Sequence, residues 1–148
     1  MDWTHLHLAL NHIPVVGVPI VTLFLAAGWW RRSDEVTRCA LWALVLLSIA
    51  AIAIKFTGDF AAEQSAQRLV GAQEFVAAHE QNGDQATTGV FLLGLSAALT
   101  LFLSRRSRPL RRWTVAAVLA LAIVAALLYA RTANSGGKIG HRELRAQS

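Results

Sequence analysis

Four stretches of the chain run without a charged residue: Ile13 to Trp30, Cys39 to Ile54, Gln85 to Ser104 and Trp113 to Ala130. A helix rising about 1.5 Å per residue crosses about 30 Å of hydrocarbon in roughly 20 residues, with a range of about 17–25. The second stretch is the shortest, and the long stems of Arg38 and Lys55 extend it by holding their charges at the two interfaces. None of the four alternates apolar with polar residues as the strands of an outer-membrane barrel do, and helices are the other way to satisfy a backbone in lipid. The pattern therefore predicts an all-α chain, a single integral membrane four-helix bundle. Its spans are expected at about 13–30, 39–54, 85–104 and 113–130, with a loop over 55–84 and a C-terminal tail over 131–148.

Composition agrees with this reading. Of 148 residues 55% are hydrophobic and 16% charged, whereas a soluble domain carries nearer a quarter charged. The apolar content excludes disorder, and the single Cys39 excludes a disulfide scaffold, a zinc ribbon and an iron–sulfur protein. The net charge of +5 does not mark a nucleic-acid binder, because the basic residues flank the apolar blocks. The first block has no basic region before it and ends in Trp29, Trp30, Arg31 and Arg32, an interfacial belt rather than a cleavage site. Arg31, Arg32 and Arg38 lie between spans one and two, and Arg105, Arg106, Arg108, Arg111 and Arg112 between spans three and four. The middle loop is acidic, with Asp59, Glu63, Glu74, Glu80 and Asp84. The positive-inside rule then puts the arginine loops in the cytoplasm and both termini and the middle loop on the extracytoplasmic side. Arg131, Lys138, Arg142 and Arg145 in the tail run against that orientation.

All five histidines fall to the outer side: His5, His7 and His12 around the start of span one, His79 before span three and His141 after span four. In a helix starting near Asp2, His5 and His12 share one face and His7 points elsewhere, as an interfacial residue. His79, Gly83, Thr87 and Val90 form a stripe in which Gly83 leaves room beside the imidazole. Gly136, Gly137 and Gly140 stop span four and let the tail return His141 to the mouth of the bundle. A shift of 74 positions lays His5 on His79 and the Arg31, Arg32 pair on Arg105, Arg106, a faint repeat that would set His5 and His79 opposite each other.

Neutral imidazole is an axial ligand of haem iron and the commonest metal ligand. A b-type haem would take two of them on opposed helices with an apolar slot between, His12 with His79 as first choice and His5 with His141 as second. A bare copper, zinc or iron ion would instead use His12, His79 and His141 with Glu80 or Asp84. Histidines at helix ends also serve simply to bond interfacial water, which leaves a cofactor-free accessory or structural subunit as a third reading.

Elsewhere the residues imply less. Pro14 and Pro19 curve span one; Thr57, Gly58 and Asp59 close span two; Asn134 and Ser135 cap span four; Cys39 is a small packing residue. No charged residue lies in the middle of a span, which counts against a pump or secondary transporter. No nucleotide loop, catalytic triad or nucleophile elbow is present.

The opening HLHLALNHIPVVG, the central TGD followed by an HE pair, and the closing TANSGGKIGHRE resemble a family of small bacterial four-helix membrane proteins, known as predicted membrane proteins with a domain of unknown function. The family pattern has a histidine before the first proline, matched by His12 and Pro14. It has an HE pair before helix three, matched by His79 and Glu80, and a glycine pair followed by histidine, matched by Gly136, Gly137 and His141. Its loop after helix two tends to read TGEP, where this chain has TGDF from Thr57 to Phe60. The resemblance implies a fold, a bacterial inner-membrane location and a histidine pattern, but no activity. The function expected is a membrane redox protein binding haem b near its outer face, exchanging electrons with quinone, a respiratory partner or a periplasmic acceptor.

Overall fold

The computed structural model describes residues 2–65, 73–104 and 109–140. They form five helices: α1 (Trp3–Leu10), α2 (His12–Arg31), α3 (Asp34–Ser65), α4 (Gln73–Leu103) and α5 (Arg112–Gly140). Four helical segments are long and apolar enough to cross a membrane, α1 and α2 counting together as one, Trp3–Arg31. The break between them is at Asn11, three residues before Pro14, whose missing N–H leaves the Leu10 carbonyl without its helical donor.

Helices α2 to α5 close into an antiparallel ring in which each packs on its two neighbours, and α1 lies on α3. The inward stripe of α5 shows why: Val115, Val118, Ala122, Ala125, Tyr129 and Thr132 are buried at alternating steps of three and four, the spacing that keeps one helix face against its partners. Leu25, Leu41, Leu44, Leu93, Val115 and Val118 fill the centre with no exposed surface to speak of. The outer face is apolar too, with Leu23 71%, Leu127 66% and Leu46 64% exposed, an arrangement that favours lipid over water as the surrounding medium. Trp30 and Trp113 stand out at the arginine end, where an indole bridges hydrocarbon and headgroups.

The turn from α2 to α3 is compact. Arg32 adopts a left-handed conformation (φ 56°) and returns its N–H to the Gly28 carbonyl, and Asp34 and Glu35 occupy the first turn of α3, where the helix dipole favours acids. Across the bundle, Arg38 donates to the Ser104 carbonyl (2.9 Å) and Asp34 accepts from the Leu110 N–H (3.3 Å).

Three helices are longer than the apolar blocks implied. Helix α3 passes straight through Thr57, Gly58 and Asp59 to Ser65, α4 begins at Gln73, and α5 passes through Asn134, Ser135, Gly136 and Gly137 to Gly140. Gly58 and Gly136, read as stop signals, are interior helical residues, each covered by an imidazole of another helix. Asp59 does not close the helix but accepts from Lys55 one turn earlier at 2.5 Å. At about 1.5 Å per residue the 32 residues of α3 exceed a hydrocarbon core of about 30 Å, so its C-terminal turns project past the apolar layer together with the start of α4 and the end of α5. Cys39 faces outward instead of packing.

Candidate functional site

The projecting ends do not meet at the bundle axis. They enclose a cavity of about 660 Å³ walled by α1, the start of α2, the C-terminal half of α3, the start of α4 and the end of α5. Its walls are mostly apolar, and the polar groups among them include His7, His12, Lys55, His79 and Tyr129.

Two histidines are held there in the same way. His7, on α1, places Nδ1 3.1 Å from Thr57 Oγ1 on α3. Thr57 donates its own proton to the Ile54 carbonyl at 2.6 Å, so it can only accept from the ring. His79, on α4, places Nδ1 3.1 Å from the Thr132 carbonyl and 3.3 Å from Ser135 Oγ on α5. Ser135 in turn donates to the Thr132 carbonyl at 2.9 Å. Both imidazoles thus have only acceptors at Nδ1, which fixes the proton there and leaves Nε2 as a bare lone pair. No described residue engages Nε2 of either ring. Both rings line the same cavity.

Each ring also lies close against a glycine of the helix that holds it. A Cβ on Gly58 would stand 2.9 Å from His7 Cε1, and one on Gly136 would stand 3.0 Å from His79 Cε1. An alanine at either place displaces the ring from its acceptors. One offset of 78 residues relates Ile54 to Thr132, Thr57 to Ser135 and Gly58 to Gly136. The two sites are alike in that a hydroxyl–glycine step on one helix receives a histidine from another, at an offset other than the 74 positions that relate the arginine loops. The residue equivalent to His79 is His7, not His5.

The other histidines are placed differently. His5 faces solvent, with 84% of its side chain exposed and Nδ1 2.8 Å from Asp2 Oδ2. Asp2 caps α1, and the N–H bond it accepts from His5, with the nearby imidazole, holds its carboxyl below the ordinary value. His5 and His7 are 200° apart around a helix, so once α1 packs on α3 only one of them reaches the interior. His12 lines the cavity with Nδ1 2.9 Å from the Leu8 carbonyl, but it is more exposed than His7. Its surroundings differ from those of His5, which faces solvent while His12 lines the cavity. His141 lies outside the described residues.

The carboxylates expected for a bare metal ion are divided. Asp84 pairs with Lys55 Nζ at 3.0 Å, closing a bridge between α3 and α4 with Asp59, while Glu80 remains on the cavity wall. Among the described residues no three His, Cys, Asp or Glu side chains gather to hold a metal ion. Gly83 lines the cavity as the sequence implied, and a Cβ there would meet nothing within 4 Å.

Sequence reasoning passed over His7, Tyr129 and the two hydroxyl–glycine steps. The available signal was the recurrence of Thr-Gly and Ser-Gly after an apolar span, each read as a helix end.

Residues 4–143 match the family model described as predicted membrane protein (DUF2231), and the chain belongs to that family. No curated protein and no solved structure matches it.

Proposed function

We propose that this member of the family is a membrane haem protein, in which His7 and His79 would hold haem b in the cavity. The observation that carries the reading is the matched pair of imidazoles, each with Nδ1 donating to an acceptor on a neighbouring helix and Nε2 left without a described partner. Metal-ligating histidines have this second bond, which orients the ring and raises the basicity of the coordinating nitrogen. The donor set suits a metal already held by a macrocycle, since two nitrogens supply the axial positions and nothing further is required of the protein. The cavity is of cofactor size, within the roughly 300–1,000 Å³ of ligand sites, and its mostly apolar wall suits a large planar ring.

Bound there, the iron would carry single electrons between its ferric and ferrous states. The chain's own part is to hold two imidazoles in register, exclude water with the apolar walls and supply a polar mouth for exchange with quinone or a partner protein. Arg31, Arg32, Arg38, Arg111 and Arg112 at the opposite end support an extracytoplasmic mouth and both termini outside, in a bacterial inner membrane.

His12 is the alternative second ligand, as it shares the wall and has a backbone acceptor at Nδ1. The bare-metal reading has less support, because Asp84 is committed to Lys55.

The test is the absorption spectrum and iron content of protein purified from cells supplied with haem. A Soret band with matching iron is expected, lost in both His7→Ala and His79→Ala and kept in His5→Ala. Retention in His7→Ala with loss in His12→Ala would move the ligand to His12. A protein with no Soret band and no iron would end the haem reading, and bound zinc or copper would favour the metal alternative.

A further inference from the structure

The most deeply buried of the polar groups on the cavity wall that the ligand set leaves unused is a phenol. Tyr129 is buried in the inward stripe of α5, with only 6% of its surface exposed, three residues before the Thr132 carbonyl that holds His79. No described residue forms a hydrogen bond with its hydroxyl. Among the described residues no sealed side-chain oxygen or nitrogen lacks a partner, so this hydroxyl opens on accessible space, and the space that Tyr129 lines is the cavity.

The position is unusual for a phenol. A buried tyrosine hydroxyl normally finds a partner, because leaving its donor unused away from water is unfavourable. A phenylalanine would fill the same volume without that cost. Two donors nearby are committed: Lys55 to Asp59 and Asp84, and the Thr132 hydroxyl to the Asn82 and Leu128 carbonyls. The histidines offer only lone pairs at Nε2. The interior wall therefore combines acceptors for a metal with donors that no described residue uses, Asn11, Thr87 and Tyr129, of which Tyr129 alone is buried in the core.

We propose that Tyr129 is a ligand-contacting residue of this cavity and that its hydroxyl donates a hydrogen bond to an anionic oxygen of the bound group. This rests on the haem reading, in which the oxygen belongs to a propionate carboxylate. A donor there has a physical purpose, since a carboxylate brought against an apolar wall needs a hydrogen bond to remain ionised, and bonds of O–H to a charged oxygen are the stronger kind. Tyr129 would then help to orient the bound group in the cavity, which the two imidazoles alone do not do.

The experiment compares the full-length protein with Tyr129→Phe, each titrated with haem and with haem whose two propionates are methyl esters. Affinity and the melting temperature of the haem-free protein are read in every case. Haem affinity is expected to fall about tenfold in Tyr129→Phe, the scale of one hydrogen bond to a charged group. The ester should bind the two proteins within about twofold of each other, and the haem-free melting temperature should be unchanged. Equal haem affinity in both proteins would overturn the proposal and identify water as the partner of the hydroxyl. An equal loss with haem and ester would overturn it as well, by assigning Tyr129 to packing. Failure of the unaltered protein to bind either compound would end the haem reading itself, a result distinct from both. If Tyr129→Phe does not fold, ultraviolet resonance Raman spectra of Tyr129 in the unaltered protein, with and without haem, replace it. An unshifted tyrosine band would overturn the assignment.

Discussion

Gly83 and Gly94 lie three turns apart on α4 and have opposite surroundings. A Cβ on Gly94 would collide with the side chain of Ser48 on α3, while one on Gly83 would meet nothing within 4 Å. At the level of Gly94 the helices touch backbone to side chain, and Leu44, Leu93 and Val118 complete a closed core. At the level of Gly83 the same helices part around about 660 Å³ of space. Small residues thus do two jobs in one helix: the first lets helices approach, which is how membrane bundles gain packing energy, and the second keeps a wall thin beside the cavity. Stability belongs to the closed half and specificity to the hollow half, and substitutions should divide along that line.

The largest effect is expected at the closed level. Gly94→Val forces α3 and α4 apart, and overpacking of this kind costs about 3 kcal/mol or more. Thermal unfolding in detergent should show a much lower transition with haem present or absent. A normal melting curve for Gly94→Val would mean that the tight contact with Ser48 is not what holds the pair together.

Next is the ligand pair, where the division is sharpest. His79→Ala should abolish haem binding and change haem-free stability by about 1 kcal/mol or less, because the Thr132 carbonyl keeps its bond from Ser135. The same holds for His7→Ala, with the Ile54 carbonyl still receiving the Thr57 hydroxyl. Paired spectra and melting curves of each variant check both halves of the statement. Global unfolding in either one would make these imidazoles structural.

Gly58→Ala and Gly136→Ala test the cradles separately. Each pushes an imidazole off its acceptor, so haem affinity should fall about tenfold, yet alanine is the better helix former by about 1 kcal/mol and haem-free stability should hold or rise. Affinity unchanged in both would show that the rings need no such seat. Gly83→Ala is expected to do least: haem affinity within about twofold and a small gain in stability from the same propensity. A large loss of binding there would mean that the ligand presses on α4 below His79.

Much of this was legible in the sequence. The uncharged blocks gave the four spans, and the gathering of histidines at one end located the region where the cavity forms. The ends of the helices were misread because Gly58 and Gly136 look like terminators when only neighbours in sequence are considered. In the folded chain each is covered by an imidazole from another helix, which makes a glycine in mid-helix advantageous. His7 was set aside for a similar reason. Counting along the helix groups His5 with His12, but the packing of Trp3 on Phe60 (ring centroids 4.9 Å apart) and the bond of His7 to Thr57 turn a different face of α1 toward α3.

The order of amino acids by itself therefore determined how many times the chain crosses the bilayer and which end carries the imidazoles, since both depend on hydrophobicity and charge summed over neighbouring residues. Which imidazoles turn inward, and what holds them, was decided by contacts between residues 50 and 53 positions apart in sequence. The rotation of each helix about its own axis is set by packing against other helices, and that information is shared among segments instead of residing in any one of them.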